Sequence, residues 1–98
     1  MVDDIEIIGN EVFPLPVMVY GRSEGDGTAI VRERLKELQI SFVEIDTDED
    51  EGAARYVQHI NHGALTTPTI VFGDEDFIIV EPTTNELIQA LRRAGYQV

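Results

Sequence analysis

One stretch limits what this chain can fold into more than any other: Val17-Met-Val-Tyr-Gly-Arg-Ser-Glu-Gly-Asp-Gly-Thr28, continued without a break by Ala29-Ile-Val-Arg-Glu-Arg-Leu-Lys-Glu-Leu38. A short apolar run, a turn rich in glycine, and apolar residues at helical spacing (Ile30, Val31, Leu35, Leu38) predict a buried strand, a tight loop and a helix N-terminus. The first turn of a helix leaves backbone N–H groups unpaired and carries a partial positive charge, so it stabilises an anion set against it. A thiolate, a phosphate or a carboxylate would each suit that position. What the chain supplies there is Ser23-Glu24-Gly25-Asp26-Gly27-Thr28.

The length, 98 residues, suits one domain with a single modest core. A content of 43% hydrophobic and 27% charged residues marks a globular chain rather than a disordered one. The net charge of −12, from 19 acidic and 7 basic residues, argues against nucleic acid as a partner, because phosphate backbones are gripped by clustered Lys and Arg. It equally disfavours anionic membrane surfaces. With no cysteine the chain has no disulfide, no thiolate metal site and no thiol nucleophile of its own. Met1 to Pro16 shows neither the basic start nor the apolar centre of a signal peptide, and no run approaches membrane-spanning length, so a cytoplasmic location is expected.

Residues 1–16 read as an extended arm, acidic at Asp3, Asp4 and Glu6, apolar at Ile7 and Ile8, and closed by Phe13-Pro-Leu-Pro16, whose prolines hold the preceding residues extended. Its expected role is tethering along the surface of a domain spanning 17–98, with pairing to a second copy as the alternative. Val17–Tyr20 is the first strand, about 27–39 the first helix, and Ile40–Asp46, with alternating apolar and polar residues, the second strand. Two strands joined by a helix are expected to run parallel. Thr47–Gly52 is an acidic loop leading into a second helix that ends near Asn61 and Gly63. Thr66–Phe72 and Phe77–Val80 flank a four-residue turn as an antiparallel hairpin, and Thr83 with Glu86 forms a capping box ahead of a last helix that Gly95 terminates.

This βαβαββα order, with Thr67-Pro68-Thr69 opening the third strand, resembles the thioredoxin fold and within it the glutaredoxin and mycoredoxin family. The resemblance implies a four-stranded mixed sheet flanked by three helices. In register with the family's Cys-x-x-Cys, Gly25 takes the position of the nucleophilic cysteine and Thr28 that of the resolving one. It further implies a cis proline at Pro68 facing the active site. Glutathione, where it binds, would pair with the backbone of Thr67 beside Pro68, meet N–H groups at Thr84 and Asn85, and place its glycine carboxylate against Arg22. No cofactor is required by this reading; glutathione or a protein segment in the cis-proline groove is the implied partner.

Other motifs carry blander readings. Ser23 could orient a bound glutathione thiol, but no base accompanies it and a turn or capping serine is expected. Gly21–Thr28 lacks the lysine of a phosphate loop, and Glu24 and Asp26 would repel phosphate. The expected arrangement is that Asp26, or a neighbouring oxygen, caps the first helix internally and takes the anion site a thiolate would otherwise use. Asp46–Asp50 imitates half a calcium loop without its glycine or its bidentate glutamate, and His59 and His62 have no third ligand, so no metal site is expected. The functional expectation is a redox-inactive module that binds glutathione or protein. An enzyme using bound glutathione as its only thiol, and a structural subunit, are the alternatives.

Overall fold

Strand and helix alternate as the hydrophobic pattern implies: β1 (Val17–Gly21), α1 (Thr28–Glu37), β2 (Val43–Asp46), α2 (Glu51–Ile60), β3 (Thr69–Phe72), β4 (Phe77–Val80) and α3 (Thr84–Arg93). The computed structural model describes residues 13–98, so most of the expected arm, residues 1–12, lies outside the described residues. The strands form one sheet in the order β2-β1-β3-β4, with β1 parallel to β2 and both remaining pairs antiparallel. Among the described residues no helix is long and apolar enough to cross a membrane.

Register decides which face each side chain serves. Val17 pairs with Phe72 and Val19 with Ile70, so these four share one face, as do Phe77 and Ile79 through their pairing with Phe72 and Ile70. They pack against Val31 and Leu35 of α1 and Leu87, Ala90 and Leu91 of α3 in one core cluster. Each large side chain removed from water there stabilises the fold by about 1.5–3 kcal/mol. The opposite face is thinner. Val57 of α2 is fully buried there, and the Tyr20 and Tyr56 rings meet at 5.2 Å while the Tyr56 hydroxyl donates to Glu75 Oε2 at 2.5 Å.

The helix ends follow local chemistry. Asp50 accepts from Ala53 N–H at 3.0 Å to cap α2, so the acidic loop serves the helix rather than an ion. Thr83 and Glu86 form the expected reciprocal capping box at α3. The second strand starts later than its alternation implies, at Val43 instead of Ile40. Gln39, at φ +59, takes the left-handed position after α1; its N–H bonds Lys36 C=O at 3.0 Å and Ile40 N–H bonds Leu35 C=O at 2.9 Å. That pair of bonds closes the helix as a Schellman motif, and it uses Ile40 as the apolar clasp over Leu35. The usual sequence signal, a glycine, is missing here.

Of the arm, residues 13–16 run along the end of α3: Leu15 N–H bonds Ala94 C=O at 2.9 Å and Tyr96 Oη donates to Leu15 C=O at 2.7 Å. At the other end of β1, Gly21 is buried against Thr28, and a Cβ built on it would fall on the Thr28 side chain, only 2.8 Å from its Cβ. Thr28 is itself fully buried and cannot swing away. Gly21→Ala should therefore lower the unfolding free energy by about 1–3 kcal/mol. Urea unfolding followed by circular dichroism checks this; an unchanged midpoint would mean that β1 and α1 are not packed as tightly as described.

Candidate binding groove at the start of the first helix

The bend between β1 and α1 is organised by one carboxylate. Helix α1 has Gly27 at its N-cap, which offers no side chain to the free N–H groups. Asp26, one residue earlier, supplies the missing acceptor: its Oδ1 accepts from Thr28 N–H at 3.0 Å, and its Oδ2 from the Thr28 hydroxyl at 2.8 Å and from Arg22 N–H at 3.3 Å. The Thr28 hydroxyl in turn lies 3.3 Å from Arg22 N–H as acceptor. Burial by itself would raise the Asp26 pKa, but hydrogen bonds from the Thr67 side chain, from Thr28 and from Arg22 N–H outweigh it and hold the carboxyl below its ordinary value. The helix start thus holds an internal anion.

Across from this bend stands the Thr67–Pro68 turn, whose peptide bond is cis. Both residues are buried, and Thr69 Oγ1 anchors the turn by donating to Thr66 C=O at 2.6 Å while accepting from Asn61 Nδ2 at 3.1 Å. The residue that faces Pro68 is Gly27: a Cβ placed on it would lie 3.7 Å from Pro68 Cδ, whereas one on Gly25 would meet nothing within 4 Å. Between them runs a groove of about 160 Å³ bounded by Gly27, Ile30, Val31, Pro68, Glu81 and Pro82. Ile30 is 64% exposed on its lip. Glu81 N–H donates to Pro68 C=O at 2.9 Å and is held at φ +48, an uncommon backbone state for a residue with a side chain. Among the described residues, neither the N–H nor the C=O of Thr67 has a backbone partner.

The residues singled out from sequence divide between several places. Pro68 lines the groove opposite Gly27 of the bend, and Thr67 precedes it in the buried turn. Arg22 is drawn off by Asp48, its Nε donating at 3.2 Å in an ion pair whose partners are half exposed, and Ser23 is exposed on the outer side of the bend. Thr84 Oγ1 lies 3.5 Å from Arg34 Nε, and Asn85 borders a second, larger groove between β4 and α3. Only Pro82 touches both grooves. His59 and His62 are both exposed. Sequence reasoning missed Ile30 and Glu81 as groove walls. The first sits where a helix turns toward solvent and reads as an ordinary surface residue. The second precedes a proline, a position that normally implies extended backbone rather than φ > 0.

Comparison with known proteins bears directly on this arrangement. The glutaredoxin family model matches residues 28–78, more than half of the chain and including both α1 and the Thr67–Pro68 turn. The chain belongs to the glutaredoxin family. Among solved structures, this glutaredoxin resembles the thioredoxin-like protein BC3987 at 27% identity, covering 76% of this chain and 99% of that one with a TM-score of 0.61. It shares its fold with a glutaredoxin from Archaeoglobus fulgidus at 23% identity, covering 81% of this chain and 87% of that one, with a TM-score of 0.63. A search of curated proteins returns no sequence match. Measured against its family, this glutaredoxin has no cysteine anywhere, and the carboxylate of Asp26 stands at the start of α1 instead.

Asp26→Asn tests that substitution of one anion for another. An amide can keep the acceptor facing Thr28 N–H, but it turns an NH₂ toward Arg22 N–H, a donor, and toward the Thr28 hydroxyl, which can then no longer donate there. The loss should be about 1–2 kcal/mol at neutral pH. Because the folded pKa of Asp26 is depressed, its contribution is fully present above the unfolded aspartate pKa and is lost as pH falls through the folded value. Stability measured from neutral pH down to about 2 should thus show the two proteins converging below the ordinary aspartate range of about 4. A constant gap across that range would contradict an ionised Asp26.

Proposed function

We propose that this glutaredoxin is a thiol-free binding module: it receives an extended polypeptide segment in the groove between α1 and Pro68, by main-chain pairing at Thr67, and performs no thiol–disulfide exchange of its own. The observation that carries this reading is the Asp26 carboxylate at the start of α1. Exchange needs a thiolate to attack sulfur and to leave again, and the helix terminus is the feature that would stabilise it. Here the first of those N–H groups, that of Thr28, already bonds an oxygen anion with no comparable chemistry.

The electrostatics favour a neutral or cationic peptide over glutathione. Glu81 lines the groove, Asp26 immediately precedes Gly27 on its wall, and Arg22, the candidate for a ligand carboxylate, already faces Asp48. Glutathione carries two carboxylates into that field, whereas the main chain of a peptide carries none. Ile30 and Pro68 supply an apolar surface on either side of the pairing edge.

Titration followed by amide NMR separates these contributions. Glutathione should shift Gly27, Thr67 and Glu81 only at millimolar concentration, and glutathione diethyl ester, a short peptide with its carboxylates masked, should shift the same amides at several-fold lower concentration. Tighter binding of the free acid, or no shift with either compound, would contradict the proposal. In a coupled assay with hydroxyethyl disulfide, turnover should equal that of glutathione alone; a rate above that background would overturn the thiol-free reading.

A further inference from the structure

The larger groove, about 650 Å³ and wide open, lies between the edge strand β4 and helix α3 and is not used by the function proposed above. The two edges of the sheet differ in chemistry. β2 carries Glu44 and Asp46, and Arg32 of α1 reaches Glu44 through two hydrogen bonds of 2.7 Å, whereas β4 is four apolar residues in a row, Phe77-Ile-Ile-Val80. A charged edge resists contact with another chain, and an uncharged one invites it. Phe77, Ile79, Val80 and Ala90 form the floor of the β4–α3 groove, with Val80 40% exposed, and the charged residues lining it are Glu86 and Arg93. We propose that its occupant is a second copy of this chain, docked groove to groove about a two-fold axis, so that Arg93 of each copy meets Glu86 of the partner subunit.

The charge pattern chooses this occupant. Glu86, Gln89, Ala90 and Arg93 follow the i, i+3, i+4, i+7 spacing of one helix stripe, which sets the carboxylate and the guanidinium about 10 Å apart along α3. In a two-fold contact residue i meets residue j and j meets i. A stripe with an anion at one end and a cation at the other is therefore complementary to itself after half a turn. The strand obeys the same axis. The Arg93 guanidinium lies 4.1 Å over the Phe77 ring, which puts Phe77 at the cationic end, while Val80 is joined to the start of α3 through Pro82 and so lies at the Glu86 end. One half turn matches the ends of both the helix and the apolar floor.

The neighbouring charges leave this match intact. Asp76, just before β4, is turned into its own hairpin, where its Oδ2 accepts from Asp74 N–H at 3.1 Å beside Gly73. Glu75 accepts from the Tyr56 hydroxyl, Glu81 lines the smaller groove, and Arg92 Nε donates to Val98 C=O at 2.8 Å. Glu86 uses Oε1 to accept from Thr83 N–H at 2.8 Å in the capping box, and its Oε2 is left for the contact. The net charge of −12 repels a second copy at long range, but at physiological ionic strength that repulsion is screened over about 8 Å, and charges in direct contact are screened less.

Sedimentation of the full-length chain at physiological ionic strength should show a dimer whose share falls on dilution. Glu86→Arg and Arg93→Glu each oppose like charges across the axis and should each weaken association about tenfold or more. In an equimolar mixture of the two variants every pair has opposite signs again, so association should return to that of the unsubstituted chain. Glu86→Arg also makes the chain less acidic, so its effect runs against general repulsion. In the unsubstituted chain, the amide signals of Ile79, Val80 and Gln89 should shift on dilution while those of Gly27 and Thr67 stay in place, a readout independent of how the variants fold. A chain that stays monomeric up to millimolar concentration, a dimer indifferent to both reversals, a mixture no tighter than either variant alone, or dilution shifts that miss the groove would each overturn the proposal.

Discussion

The bend at the start of α1 depends on one partly buried group, the Asp26 carboxylate shared between Thr28 and Arg22. It joins the end of β1 to the first turn of α1. The geometry leaves little freedom: Gly21 has to lack a side chain because Thr28 fills the space beside it, and Thr28 has to point inward because its hydroxyl both donates to Asp26 and accepts from Arg22. A helix terminus that is electropositive by construction has been supplied with a negative group from within its own loop.

That arrangement changes what the family's groove can do. Where a helix N-terminus holds a thiolate, its field serves bond exchange with sulfur; where it holds an internal carboxylate, the field is spent on stability. The surfaces that remain are the apolar groove walls of Ile30 and Pro68 and, beside them, the main chain of Thr67, which has no backbone partner among the described residues. Glu81 adds a carboxylate to the groove wall. That distribution of groups is what the proposed preference for polypeptide over small anionic thiols rests on.

Much of this was legible in the amino-acid sequence because each element carries its own local cause. The alternation of β1, the capping box at Thr83 and Glu86, the four-residue turn before Phe77 and the role of Asp26 at the first helix all follow from side chains acting on neighbouring backbone. The start of β2 did not, because Gln39 adopts a left-handed conformation without the glycine that usually announces it and draws Ile40 back onto Leu35. The candidate groove was legible only in part. The peptide bond before Pro68 is cis and Pro68 stands opposite Gly27, while Arg22 pairs with Asp48 and Asn85 borders the second groove, since long-range neighbours, not local pattern, decide where exposed polar side chains come to rest. Gly27 rather than Gly25 faces Pro68 because α1 begins only at Thr28, so the residue against the groove lies closer to the helix than alignment with Cys-x-x-Cys suggests.

The central claim is that Asp26 is the ionised anion of the α1 N-terminus. Direct titration of its side-chain carboxyl carbon by NMR in the intact protein tests it without any substitution. The account predicts a midpoint below the ordinary aspartate value, with the amide signals of Arg22 and Thr28 titrating at the same pH. A midpoint at or above that ordinary value, or Arg22 and Thr28 amides indifferent to the transition, would contradict it.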